Sequence, residues 1–274
     1  MKAWRQGWRI EDAGNDFTPR RVPPGGAMLT RAEKRAAHAR ARAFVYESLA
    51  KAAGDRPVMA VQVGANDGQL SDPLFPYFAG HGWHGLLLEP NPVYFARLGD
   101  LHAARPHVVP RQVGCSSSAA EMTLFYLDPD HEDLYRRDAR GCATLDRARM
   151  RAALEKERAD VPEDHIAQVT VHLRPLDAVL ADEGITTADV LVIDVEGHEP
   201  EVLAGCDLAA LSPRLVVVEQ NTRSTRGATL APLRAAGFRI AKLAGDVYAF
   251  AHDYPDREGA IDALVSAGGT RVDG

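Results

Sequence analysis

Cysteine is scarce in this 274-residue sequence: Cys115, Cys142 and Cys206 are the three present, separated by 27 and 64 residues. An odd number at that spacing matches neither a zinc-ligand pattern nor a disulfide framework, so reduced, mostly buried thiols are expected. The ten histidines show no paired metal-ligand spacing either. No run approaches the roughly 18 consecutive apolar residues of a membrane helix, and Met1 to Arg9 lacks the apolar segment of a signal peptide. The expectation is a cytoplasmic protein with no membrane partner. Positive charge is in deficit, 32 Lys and Arg against 38 Asp and Glu, for a net charge of −6. With the arginines dispersed between acids, no basic field recruits nucleic acid. Lysine is scarce and no G-x-x-x-x-G-K-[ST] occurs, which excludes a P-loop. What is abundant is apolar: 46% of residues are hydrophobic, enough for a sizeable core.

Residues 1–30 mix charge with Gly, Pro and Asn and end in Pro23-Pro24-Gly25-Gly26, the composition of a flexible N-terminal arm. From Thr30 to Ala53 there is neither Pro nor Gly, and Phe44, Val45, Leu49 and Ala52 recur at helical spacing. A leading helix over residues 31–56 follows, stopped by Gly54-Asp55. Beyond it, strand-like and helix-like segments alternate, the pattern of an α/β fold. Strands are expected at 58–63, 85–89, 107–113, 169–173, 190–194 and 215–219. Their near-continuous apolar character predicts a mostly parallel sheet with helices on both faces. Helices are expected from Ser71-Asp72-Pro73, from Pro92 to His102, from Pro175 to Glu183 and from Pro200. Residues 114–168 interrupt the alternation as an insertion with a short strand at 122–126 and an Arg-rich helix near 146–157. Residues 239–243 and 247–251, divided by Gly245-Asp246, read as a closing antiparallel hairpin.

Three segments carry chemistry. Val63-Gly64-Ala65-Asn66-Asp67-Gly68 follows a buried strand and precedes a helix, where open α/β sheets bind ligands. Its glycines let backbone approach a ligand, although glycine after a strand is also a common turn device. Glu89 ends the second strand 21 residues after Gly68, close to the spacing at which an acid reads a ribose diol. The turn has two glycines where a dinucleotide fingerprint wants three, which disfavours a nicotinamide cofactor. The third segment, Ile193-Asp194-Val195-Glu196-Gly197-His198-Glu199-Pro200, delivers carboxylates and an imidazole from a strand end into one loop.

These residues resemble the FkbM-type methyltransferases, a branch of the S-adenosylmethionine-dependent enzymes. The resemblance covers roughly residues 57–251, through Val63–Gly68, Leu88-Glu89-Pro90-Asn91, Leu176-Asp177, and Ile193–Glu199 with Leu203 and Gly205. It implies a seven-stranded Rossmann-like sheet and makes residues 57–274 the methyltransferase domain. It also implies that Gly64, Ala65, Asn66, Asp67 and Gly68 line the methionine and ribose portion of the cofactor. By the same resemblance Glu89, with Pro90 and Asn91, holds the ribose, and Gly114, Cys115 and Ser116 border the adenine. Asp194 and Glu196 face methyl donor and acceptor. The implied reaction is O-methylation of a hydroxyl on a sugar, glycan or other small metabolite. The motifs leave residues 1–56 and 114–168 unexplained, and those segments are expected to shape the acceptor site. Two positions depart from wider S-adenosylmethionine-enzyme patterns: Gln62 replaces an acid two residues before the first glycine, and Asn66 replaces a glycine.

A hydroxyl acceptor must lose its proton. His198 is the first candidate base because imidazole titrates near neutrality, with Asp194 and Glu196 as orienters or alternative bases. Asp194, Glu196 and Glu219 at adjacent strand ends are hard oxygen ligands of the kind Mg²⁺ favours. The rival readings are a nicotinamide-dependent oxidoreductase on the same sheet and a catalytically silent cofactor-binding protein. The sequence leaves a homo-oligomer open.

Overall fold

A computed structural model describes residues 30–70, 72–220 and 226–272, with the backbone of Trp8–Arg9 and Arg20–Arg21. Those two pairs form antiparallel strands β1 and β2; the rest of the expected arm lies outside the described residues. Helix α1 (Arg31–Ala53) begins in a capping box. The Glu33 amide donates to Thr30 Oγ1 (3.2 Å) and the Thr30 amide donates to Glu33 Oε2 (2.7 Å). It ends at Gly54, whose φ of +59° suits glycine. Its buried stripe is Ala41, Val45, Tyr46 and Leu49.

The chain then runs through β3 (Met59–Val63), α2 (Phe75–Gly80), β4 (His84–Leu88), α3 (Pro92–His102), β5 (Val108–Arg111), β6 (Gly114–Cys115), β7 (Ala120–Leu127) and α4 (Arg147–Glu155). It continues through β8 (Ile166–Arg174), α5 (Leu176–Asp182), β9 (Val190–Ile193), α6 (Glu199–Ala204), α7 (Leu208–Leu211), β10 (Leu215–Glu219) and α8 (Arg226–Ala235). It closes with β11 (Arg239–Leu243), β12 (Asp246–Phe250), α9 (Arg257–Ser266) and β13 (Thr270–Arg271).

The main sheet has the order β13-β11-β12-β10-β9-β3-β4-β5. Strands β10, β9, β3, β4 and β5 are parallel, and β12 pairs antiparallel with both β10 and β11. Alternation along each central strand feeds two cores. Val61, Val63, Leu86, Leu88, Leu191, Ile193, Val216 and Val218 pack with residues of α5, α6 and α8. Ala60, Leu87, Val190, Val192 and Val217 pack with α1, α2 and α9. Each fully buried Leu, Ile or Val contributes about 1.5–3 kcal/mol, so truncating Leu191 to Ala costs about 2–5 kcal/mol.

The structure corrects the sequence reading in three places. The main sheet has eight strands among the described residues, not seven. The eighth, β13, is a two-residue edge strand on β11, reached because Gly268 takes φ +102° and Gly269 passes the Lys242 carbonyl where a Cβ would lie 2.3 Å away. Second, the strand expected at 169–173 is not in the main sheet. It lies within β8, which pairs antiparallel with β7 and parallel with β6 in a separate three-stranded sheet. Val169, Val171 and Leu173 alternate there with Thr170, His172 and Arg174, which suits a sheet solvated on one face. Third, α2 starts at Phe75 with Pro76 in its first turn, rather than at Ser71-Asp72-Pro73. Asp72 Oδ1 instead accepts from the Leu74 amide (2.7 Å), holding a turn before the helix; Ser71 lies outside the described residues. All three cysteines are free, with Cys115 buried.

Candidate active site

The chain leaves β3 for β4 on one side and returns through β9 on the other, so the carboxyl ends of β3 and β9 flank a topological switch point. A cavity of about 390 Å³ opens there. Gly64 and Ala65 both donate to the Leu88 carbonyl (2.9 and 3.1 Å), tying the first turn to the end of β4. Gly64 adopts φ +84°, and Asn66 tolerates φ +48° in the same turn.

Glu89 sits at the centre of this arrangement and is buried. Its Oε2 accepts from the Asn66 amide and its Oε1 from the Asn91 amide, each at 2.8 Å. Burial raises its pKa to about 7 despite those two bonds. Asn91 caps α3 by accepting from the Val93 amide (2.9 Å). The wall continues through Pro90, Gly114 and Cys115.

On the other side, the Asp194 amide donates to the Val63 carbonyl (3.0 Å), and the Asp194 carboxylate faces the cavity with Glu196 and Glu219. One carboxylate oxygen of each lies within 4.8 Å of the others. Asp194 and Glu219 share a hydrogen bond, and desolvation together with repulsion among the neighbouring acids raises both pKa values, although Asp194 stays open to the cavity. Arg149 of α4 donates from Nη2 to Glu196 Oε2 (2.6 Å), and Thr144 Oγ1 donates to the Glu196 carbonyl (2.9 Å). The insertion thus fixes the loop after β9, in which Glu196 and Gly197 take φ +51° and +112°.

His198 lines the cavity too, but both of its ring nitrogens have neighbours: Nε2 lies 3.0 Å from Ser116 Oγ and Nδ1 lies 3.7 Å from Glu201 Oε2. Burial lowers its pKa. Four sequence-derived positions do not line the cavity. Asp67 accepts from the Gln69 and Leu70 amides and pairs with Arg140. At Gly68 a Cβ would meet Leu98 at 2.6 Å, so this glycine serves packing on α3. Asn91 is the helix cap, and Ser116 meets His198. The structure adds wall residues that sequence reasoning missed: Arg42 and Tyr46 of α1, Asp72, Asp246 and Tyr248.

Residues 62–253 match the methyltransferase FkbM domain. The chain belongs to the FkbM methyltransferase family. A search of curated proteins finds no match. Among solved structures, the chain is similar to a methyltransferase FkbM from Methylobacillus flagellatus (15% identity, TM-score 0.44), covering 71% of this chain and 44% of that one. The chain spans less than half of that relative's length. A precorrin-6y C5,15-methyltransferase from Geobacter metallireducens aligns at 14% identity and TM-score 0.37, over 77% of this chain and 88% of that one. The magnesium protoporphyrin IX methyltransferase of Synechocystis, solved with bound S-adenosylmethionine, aligns at 13% and 0.39 over 82% and 86%. Among the described residues no helix is long and apolar enough to cross a membrane.

Proposed function

We propose that this FkbM-family chain transfers a methyl group from S-adenosylmethionine to a hydroxyl of a sugar, glycan or other small metabolite. One observation carries the reading: Glu89, the Gly64–Asn66 turn and Asp194, which are distant in sequence, meet on the rim of one cavity at the switch point. The donor set fits the cofactor. A buried carboxylate suits a ribose diol, the Pro90–Gly114–Cys115 wall suits a flat base, and the acids around Asp194 suit a cationic sulfonium.

When bound, the cofactor supplies an activated methyl group that leaves a sulfonium by in-line displacement. The protein's share is alignment, which contributes about 7–11 kcal/mol to such reactions, and removal of the acceptor's proton. In this reading Asp194 takes that proton, because its carboxylate faces the cavity beside Glu219. Arg149 donates to Glu196 and orients it beside Asp194. His198, held between Ser116 and Glu201, ties the β6 turn to the start of α6 and is the alternative base.

Titration calorimetry with S-adenosylhomocysteine and with NAD tests the cofactor. Binding of the first alone is expected, and binding of NAD alone would turn the reading to an oxidoreductase. Transfer of labelled methyl to hydroxyl-bearing acceptors tests the reaction, and binding without turnover on any of them would mark a silent cofactor binder.

A further inference from the structure

Four side chains lining this cavity carry buried polar atoms that have no partner: Arg42 Nε, Tyr46 Oη, Gln62 Oε1 and Asp72 Oδ2. Arg42 and Tyr46 lie one turn apart on α1, Gln62 is two residues before Gly64 on β3, and Asp72 precedes α2. They form one group. The Tyr46 hydroxyl is within electrostatic reach of both Arg42 and Asp72, and the Gln62 side chain lies beside the Asp72 carboxyl.

Arg42 and Asp72 are held in place by their other polar atoms. Arg42 donates from Nη2 to Asp246 Oδ2 (2.7 Å), which leaves its Nε edge unused. Asp72 Oδ1 accepts from the Leu74 amide (2.7 Å), which leaves Oδ2 unused. A buried polar atom without a partner is costly, and a ligand that meets it removes the cost. The unused set is two donors, one on a cation, and two acceptors, one on an anion. Its complement is a carboxylate next to an ammonium.

We propose that Arg42, Tyr46, Gln62 and Asp72 form a subsite for an α-amino-acid headgroup, with Asp72 and Gln62 taking the ammonium and Arg42 and Tyr46 the carboxylate. The inference rests on the methyltransferase reading, in which the headgroup is that of the cofactor's methionine portion. Position 62 offers an amide where an acid is the wider pattern, and Asp72 delivers the missing carboxylate from a neighbouring loop.

The test is calorimetry with two ligands, S-adenosylhomocysteine and 5′-methylthioadenosine, which share the adenosine thioether and differ in the headgroup. The wild type is expected to bind the first on the order of a hundredfold more tightly, and Asp72→Asn to narrow that gap by about tenfold while methylthioadenosine affinity stays unchanged. Tyr46→Phe, which keeps the ring packing, narrows it by a smaller factor. Retention of the full gap in both variants, or a parallel loss of methylthioadenosine binding, overturns the subsite. Wild-type protein that binds the two ligands equally also overturns it and leaves the adenosine site standing. Protein that binds neither overturns the methyltransferase reading, and this inference with it. Uptake of free methionine by protein saturated with S-adenosylhomocysteine, lost in Asp72→Asn, would move the headgroup to the acceptor and overturn its assignment to the cofactor.

Discussion

The α-carbon of Gly64 passes so close to the main chain of Asp194 that a Cβ at Gly64 would lie 1.8 Å from the Asp194 carbonyl oxygen. The first glycine of the turn therefore serves the contact between the ends of β3 and β9 as well as any ligand. Gly64→Ala adds a left-handed backbone penalty to a displacement of β9, and the two together cost at least about 2 kcal/mol. Urea denaturation should show the midpoint falling at unchanged slope. An unchanged midpoint would mean the two strand ends are not in this contact.

Buried carboxyls make the stability of the ligand-free protein depend on pH in an unusual direction. Asp72 and Glu89 are each raised to about 7 by burial, from 3.8 and 4.5. Between about pH 4.5 and 7 the native state holds protons that the unfolded chain has released. Stability then falls with rising pH, by about 1.4 kcal/mol per pH unit for each such proton. Thermal melts without ligand should drop from pH 5 to pH 7.5. Glu89→Gln should flatten that slope; a slope unchanged by the substitution would remove Glu89 from the account. A cationic ligand prefers the ionised acids, so its stabilising effect should grow over the same interval.

Much of this architecture was legible in the sequence because buried parallel strands announce themselves. Val61, Val63, Leu191 and Ile193 leave little room for another reading, and the strand-end acids Glu89 and Asp194 followed from them. The apolar content of β8 points to the main sheet, whereas its alternation of apolar and polar residues fits the separate three-stranded sheet in which it lies. The Arg42–Tyr46–Asp72 wall stayed hidden for a different reason. Its members come from a helix and a loop whose proximity is set by tertiary packing, and no spacing in the sequence links the two. Gly68 and Asn91 show the converse: both fall in the motif, yet one packs on Leu98 and the other caps a helix.

A divalent ion is the competing way to neutralise Asp194, Glu196 and Glu219. In the structure Glu196 is already paired with Arg149, and Asp194 and Glu219 share a hydrogen bond. Methyl transfer is therefore expected to continue unchanged in excess chelator. Loss of turnover on chelation, restored by Mg²⁺, would place the ion among these acids and assign the proton's role to it.

The identity of the base can be read from a pH–rate profile. A profile governed by Asp194 and Glu219 rises through an ionisation near or above 7, because burial and mutual repulsion hold their proton on. A profile governed by His198 rises below 6.5, because burial favours its neutral form. The expected limb is the higher one. His198→Ala should keep that limb and reduce turnover by less than about tenfold, whereas Asp194→Asn should abolish the limb and lower turnover by about 10²–10⁴. Glu219→Gln separates the two carboxylates: with the shared proton gone, Asp194 ionises more readily and the limb moves to lower pH. A limb that vanishes in His198→Ala and survives in Asp194→Asn would transfer the base to the imidazole and leave the carboxylate pair an electrostatic role toward the sulfonium.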